Sequence, residues 1–324
     1  MMLDRMEGNA ELKTSVRQML ASRRLTHSVL LVGEDGLGAG FAARCIAADY
    51  LYPAGGAPAE ALLRGECCRA VAKAGKRDSG QVETGIVREA ISVSGMGSGG
   101  RYLVGQVTAM RSEIFNTSLS AEGRAVLLYH VERMNEESAN ALLKVMEEPP
   151  EGVLFLLTAT SAATVLPTIR SRCAAYTIAP VPAADCAARL KAERLPAKAA
   201  EELAFLYEGH IGTALKSWND PTAKAALGMA KTLCGYAAQG DTYRALALLT
   251  KYERDKDGFA ALLWTLDQLC SAVLRRPAYG QEQCGGLTPA GAAKILNADA
   301  RARKSLTGNG NLRLNVAVLA GEIA

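Results

Sequence analysis

The spacing of hydrophobic positions changes several times along the chain, and the changes mark its elements. Residues 10–24, "AELKTSVRQMLASRR", place Leu12, Val16, Met19 and Leu20 at helical spacing, which predicts an amphipathic helix with one buried side. The next run, "HSVLLVG", is continuously apolar and ends in glycine, the pattern of a parallel strand covered on both faces. "FAARCIAADYLY" then reads as a helix that packs back onto the sheet. "AVLLYHV" (125–131) and "VLFLLTAT" (153–160) repeat the continuous apolar pattern and predict two more buried strands. "RYLVGQV" (101–107) is read as a further strand and "AAYTIAPVP" as the last. Between the two strongest strands lies "MNEESANALLKVMEEPP". Asn135 is a good N-cap there, Glu136 and Glu137 put negative charge in the first turn, and Pro149 and Pro150 stop the helix. Residues 53–85, rich in Gly, Pro and charge, give no readable pattern.

Strands alternating with helices predict an α/β domain with a parallel sheet over residues 1–180. After Pro182 the texture becomes helical, and 181–218 reads as a small helical unit. Residues 219–324 read as helix apart from a Gly/Pro-rich break near 276–290, and the closing "NLRLNVAVLAGEIA" is apolar enough to bury one face. A chain of 324 residues accommodates such a plan.

Composition refines this picture without redirecting it. Hydrophobic residues make up 49% and charged residues 22%, as in an ordinary soluble protein. No apolar run is long enough to span a bilayer, and "MMLDRMEGNAELK" lacks the apolar core of a signal peptide, so a cytoplasmic protein with no membrane partner is expected. A net charge of +4 permits weak contact with nucleic acid but does not argue for it. The eight cysteines contain no C-x-x-C pair and read as reduced thiols; the adjacent Cys67 and Cys68, with no nearby His, are weak zinc candidates.

The candidate chemistry begins at "GEDGLGAG" (33–40), which stands where a phosphate-binding loop would stand. Gly33 and Gly38 match the template G-x-x-x-x-G-K-[ST], and Gly36 adds turn freedom. The lysine position is Ala39 and the hydroxyl position is Gly40, while Glu34 and Asp35 add negative charge at the mouth. The second half of such a site, an acidic pair at the end of a strand, is replaced by Tyr129 and His130, and Glu132 is expected to face elsewhere. Taken alone, this is no more than the glycine turn that an α/β fold needs.

Three stretches carry more. "ANALLKVMEEPP" (139–150), "LPTIRSRC" (166–173) and "RLTHSVLLVGEDGLG" closely resemble the delta-prime subunits of the bacterial DNA polymerase III clamp loader, within the AAA+ superfamily, and "NLRLNVAVLA" is similar to their last collar helix. The resemblance implies a RecA-like AAA+ domain (1–180), a helical lid (181–218) and an all-α collar for oligomerisation (219–324). It implies an open ring of five subunits with ATP and magnesium held between them. The partners implied are gamma/tau-type ATPase subunits, the delta subunit, the sliding clamp and primed DNA. It gives Arg172, flanked by Ser171 and Cys173, the role of an arginine finger toward ATP bound by a neighbour, with this chain itself holding no nucleotide and not being an enzyme alone. A guanidinium suits that role through its permanent charge and planar fork of donors.

Two departures accompany the resemblance. The cysteine-rich zinc module common in these subunits is reduced to Cys67 and Cys68, so zinc is not expected. The lid position that holds a nucleotide-sensing arginine in active relatives is Thr213. His27 and His130 are read as structural, His210 as a residue of the lid surface or a helix end, Glu147 and Glu148 as solvated or interface residues, Lys144 as solvated, and Thr158 and Thr160 as strand-end residues. Two other readings are an NTPase with an unorthodox loop and a diverged AAA+ scaffold in another DNA process.

Overall fold

The computed structural model describes residues 1–22, 27–73, 79–116, 123–308 and 310–323. Arg23 and Arg24 of the first predicted helix, the Leu25–Thr26 start of "RLTHSVLL" and residues 74–78 after the cysteine pair lie outside the described residues. Seven strands, β1 (Ser28–Val32), β2 (Cys67–Ala72), β3 (Gly80–Glu83), β4 (Val87–Ser94), β5 (Arg124–Tyr129), β6 (Val153–Ala159) and β7 (Ala174–Thr177), form one sheet. Their order is β3-β2-β4-β5-β6-β1-β7, parallel throughout except for the β2–β3 pair at the edge. The helices that follow in chain order are α1 (Ala10–Ser22), α2 (Ala39–Leu51), α3 (Ala57–Leu63), α4 (Val104–Asn116), α5 (Glu136–Glu147), α6 (Pro167–Arg170), α7 (Ala183–Ala192), α8 (Ala197–Leu206), α9 (Ile211–Asn219), α10 (Pro221–Gln239), α11 (Thr242–Leu249), α12 (Lys256–Arg275), α13 (Pro277–Gln283), α14 (Pro289–Thr307) and α15 (Leu312–Ile323).

The described residues fall into two compact units, 1–189 with 209–212, and 190–208 with 213–323. In the first, alternate side chains of the central strands feed two separate cores, because successive strand residues point to opposite faces. Val29, Leu31, Leu127 and Leu156 pack with α1, α2 and α3 on one face. Leu30, Val32, Leu128 and Leu157 pack with α4, α5 and Ile169 of α6 on the other. Burial on both faces is why β1, β5 and β6 read as unbroken apolar runs.

Two sequence readings change. "RYLVGQV" is not a strand: from Val104 it is the first turn of α4. Gln106, fully buried, accepts from the Leu103 N–H at 3.1 Å and donates to the carbonyls of Ser94 and Ala70. It is the reaching-back half of a capping box, formed without the usual Ser or Thr at the cap. The strand before it is "VREAISVS", whose polar residues interrupt its buried positions, Val87 and Ala90 in one core and Ile91 and Val93 in the other. The break near 276–290 is likewise not a loop throughout. Pro277 and Pro289 open α13 and α14, where a missing N–H and a fixed φ are tolerated. Asn135 caps α5 as read, its side chain accepting from the Ser138 N–H at 2.9 Å.

The helical second unit packs α10 on α12, α12 on α14 and α14 on α15 around Leu233, Leu266, Ile295 and Leu319. A carboxylic acid is buried among its described residues. Asp299 on α14 accepts from Arg303 Nε at 2.5 Å through Oδ2, while its buried Oδ1 has no partner. Burial raises its pKa from 3.8 to about 6, against the opposing pull of Arg303. Between those values the folded protein keeps a proton that the unfolded chain has released, so stability is lost as pH rises through this window. Asp299→Asn is therefore expected to gain thermal midpoint relative to the parent chain as pH is raised from 4 to 7; a difference independent of pH would contradict the assignment.

Candidate functional site

The loop after β1 is shaped by its glycines and by three backbone contacts. The Gly33 N–H donates to the Ala159 carbonyl at the end of β6 at 3.0 Å, and a Cβ at Gly33 would lie 3.1 Å from the Ile178 side chain. Gly36 and Gly38 have φ of 92° and 96°, left-handed values that favour glycine. The Leu37 N–H closes a turn on the Glu34 carbonyl, and the Ala42 N–H on the Gly38 carbonyl begins α2. Residues 209–212 cover the loop: the Gly212 N–H donates to the Gly36 carbonyl at 2.9 Å, and a Cβ at Gly212 would sit 3.0 Å from that same oxygen. His210 Nε2 lies 3.4 Å from Glu34 Oε2.

The first turn of α2 offers unpaired N–H groups and the positive end of the helix dipole, the backbone half of an anion site. The side-chain half differs. Ala39 carries no charge, and Gly40 faces the ring of Tyr129: a Cβ at position 40 would lie 3.3 Å from the tyrosine Cε1. Tyr129 ends β5, and its carbonyl accepts from the Tyr102 hydroxyl at 2.6 Å, which fixes the strand end. Burial pushes the Tyr129 phenol above its ordinary value, with the nearby Arg44 guanidinium acting the other way, so it remains a neutral hydroxyl. A neutral phenol does not replace a magnesium-binding carboxylate.

Arg44 was missed in the sequence. It lies one helical turn beyond Gly40, which brings it to the same face of α2. Its Nε donates to the Leu63 carbonyl at 2.8 Å, and its guanidinium stands 5.9 Å from the Phe41 ring centre. The i, i+4 spacing was the available signal.

Beyond the end of β5 stand His130 and Glu132. His130 takes a left-handed backbone, φ 57°, and its N–H donates to Thr158 Oγ1 at 3.1 Å. Its Nδ1 lies 3.3 Å from Glu132 Oε1 and 4.0 Å from Asp35 Oδ1, so it has carboxylate neighbours. Glu132 turns back toward β6, accepting from Thr160 Oγ1 at 3.1 Å, and its other oxygen is buried without a partner. The left-handed step at His130 redirects the chain and makes this return possible.

Cys67 and Cys68 contribute to opposite cores, and a register shift against β4 falls between them. Among the described residues no group of three His, Cys, Asp or Glu side chains could hold a metal ion. Thr213 follows Gly212 in α9, within the second unit.

The other candidate stands apart from the loop. Arg172 follows α6; its Nη1 donates to the Thr168 carbonyl at 3.0 Å and its Nη2 to Glu147 Oε1 at 2.5 Å. Ser171 donates to the same Thr168 carbonyl. Burial lifts the neighbouring Cys173 thiol to about 12, which leaves it protonated and inert at neutral pH. Arg172 itself remains 38% exposed. Lys144 is exposed on α5, and His27 is an exposed residue whose carbonyl accepts from Phe155 N–H.

A mostly parallel sheet with helices on both faces, whose first strand passes through a glycine turn into a helix, defines an α/β protein. Within that class, the chain belongs to the family described as DNA polymerase III, delta subunit, whose profile matches residues 8–182. It is 35% identical over 193 residues to the DNA polymerase III subunit delta' of Pseudomonas aeruginosa, covering 58% of this chain and 54% of that protein. It is 29% identical over 167 residues to the subunit delta' of Escherichia coli K12, covering 51% and 45%. It is 27% identical over 166 residues to the subunit gamma of Buchnera aphidicola from Acyrthosiphon pisum, covering 51% and 42%. The chain spans about half the length of the curated relatives it matches.

The Tyr129–Gly40 contact yields a stability test. Gly40→Thr is expected to cost about 1–3 kcal/mol by overpacking against the ring. In a Tyr129→Ala background the same substitution should cost less, a coupling that thermal or denaturant unfolding reads as a double-mutant cycle. Equal costs in both backgrounds would remove the ring as the obstacle.

Proposed function

We propose that this chain is a non-hydrolysing, delta-prime-like subunit of a DNA polymerase III clamp loader, and that Arg172 acts on ATP held by a neighbouring subunit. The observation that carries the proposal is the contrast between the two candidate places. At the chain's own loop the cation and the metal-binding hydroxyl are missing, and the Tyr129 ring stands against Gly40. At Arg172 a permanent cation, a third exposed, uses two of its five N–H groups within the chain. The remaining donors suit charge developing on a phosphoryl group from across an interface. Family membership supports the setting in a clamp loader. In this reading residues 1–180, 181–218 and 219–324 serve as AAA+ domain, lid and collar. The partners are gamma/tau-type subunits, delta, the sliding clamp and primed DNA, in the cytoplasm. Among the described residues no helix is long and apolar enough to cross a membrane, which suits that setting.

The match to a gamma subunit favours one rival, a chain that binds nucleotide itself. The two readings separate on simple measurements. Arg172→Ala is expected to leave assembly with gamma-type and delta subunits intact and to lower DNA-stimulated ATP turnover, by at least about tenfold at the site it serves. An unchanged rate in the reconstituted complex would sink the trans role. The isolated chain is expected to show no micromolar ATP binding with magnesium; such binding would favour the rival.

A further inference from the structure

We propose that Glu147 is a positioning residue for Arg172: from the end of α5 it grips one edge of the guanidinium and leaves the other turned outward for a phosphate. The inference rests on the trans role proposed above for Arg172.

Glu147 is the last residue of α5, with Glu148 as its cap and Pro149 and Pro150 ending the helix. A carboxylate there faces the negative end of the helix dipole, a placement that helix electrostatics disfavours. Its own helix thus gives no reason for the charge. The reason lies in a neighbouring element: Glu147 Oε1 accepts from Arg172 Nη2 at 2.5 Å.

Arg172 is held from three sides. Its backbone is fixed by the turn closing α6, with the Arg172 N–H on the Ile169 carbonyl at 3.1 Å and the Cys173 N–H on the Arg170 carbonyl at 3.3 Å. Ile169, fully buried, ties that turn to the core. The side chain then curls back, Nη1 donating to the Thr168 carbonyl at 3.0 Å. The Thr168 carbonyl, a neutral acceptor on the same turn, sets how far the side chain curls. Glu147, which reaches it from another helix, sets its swing.

A free arginine side chain loses several rotatable bonds' worth of freedom when a phosphate captures it. Two intrachain bonds remove much of that freedom in advance, which is how preorganisation raises the rate of a step rather than the occupancy of a site. Glu147 also subtracts some positive charge. If that effect were the larger, it would act as a latch that phosphate must displace, and its removal would speed turnover. The half-exposed setting screens the charge while leaving the geometry in place.

The test uses the reconstituted clamp loader with its DNA and clamp, comparing Glu147→Ala, Glu147→Gln, Arg172→Ala and the Glu147→Ala/Arg172→Ala pair, each checked for assembly by co-purification. Glu147→Ala is expected to lower kcat of DNA-stimulated ATP hydrolysis roughly two- to fivefold, the effect of a half-exposed ion pair, with KM for ATP little changed. Glu147→Gln, whose amide oxygen can still accept from Nη2, should recover more than half of the loss. On Arg172→Ala, the second substitution should do nothing further. A slow Arg172→Ala with a normal or faster Glu147→Ala would overturn the positioning role alone. An additive loss in the pair would also overturn it, because Glu147 would then act other than through Arg172. A normal Arg172→Ala would overturn the trans role itself, and with it this inference.

Discussion

The first unit depends on one constraint: β1, β5 and β6 are paired in parallel and covered on both faces, so each successive side chain must fill a different core. With the register set by that double packing, the C-terminal ends of three strands come nearly level. Val32 pairs with Ala159 and Leu128 with Leu157, so Tyr129 ends β5 just short of that pair, and the contacts around the loop hang from these strand ends. The Gly33 N–H reaches the Ala159 carbonyl, the Tyr129 ring reaches the first turn of α2, and the Thr158 hydroxyl receives the His130 N–H. A slip of one residue in any of these strands would exchange the two cores and scatter these contacts.

The charges around the loop are arranged consistently with that geometry. Glu34 and Asp35 each have an imidazole nearby, His210 and His130 respectively, and Glu132 sits among hydroxyl and imidazole groups rather than at the helix terminus. Beside Tyr129 stands the Arg44 guanidinium, which is drawn toward the Leu63 carbonyl. Acids at the mouth and a phenol at the strand end form a surface quite unlike that of the Arg172 corner, where one guanidinium meets one carboxylate.

Much of this was legible in the sequence, and the limits have physical causes. Unbroken apolar runs reveal β1, β5 and β6 because both of their faces are buried, and Asn135 with Pro149 and Pro150 brackets α5 through chemistry local to the chain. The strand β4 lacks an unbroken apolar run because Arg88, Glu89, Ser92 and Ser94 interrupt the residues it gives to the two cores, and α4 reads as a strand because Gln106 completes its cap with no Ser or Thr at the cap position. At the site, the missing lysine and hydroxyl are visible as letters. The meeting of Gly40 with Tyr129, of Arg44 with that same ring, and of Glu147 with Arg172 is not, since each joins residues by folding and none by spacing alone, apart from the helical step from 40 to 44.

The cover formed by residues 209–212 has a consequence of a different kind. Its bond to the loop runs from main chain to main chain, Gly212 N–H to Gly36 carbonyl, and the loop's own turns are likewise main-chain bonds. The curve of the loop is therefore stored in its glycines and peptide groups, and its charge in the side chains of Glu34 and Asp35. A substitution at either acid leaves every one of those main-chain bonds in place, whereas one at Gly40 meets the Tyr129 ring at the end of β5 and is felt by the sheet.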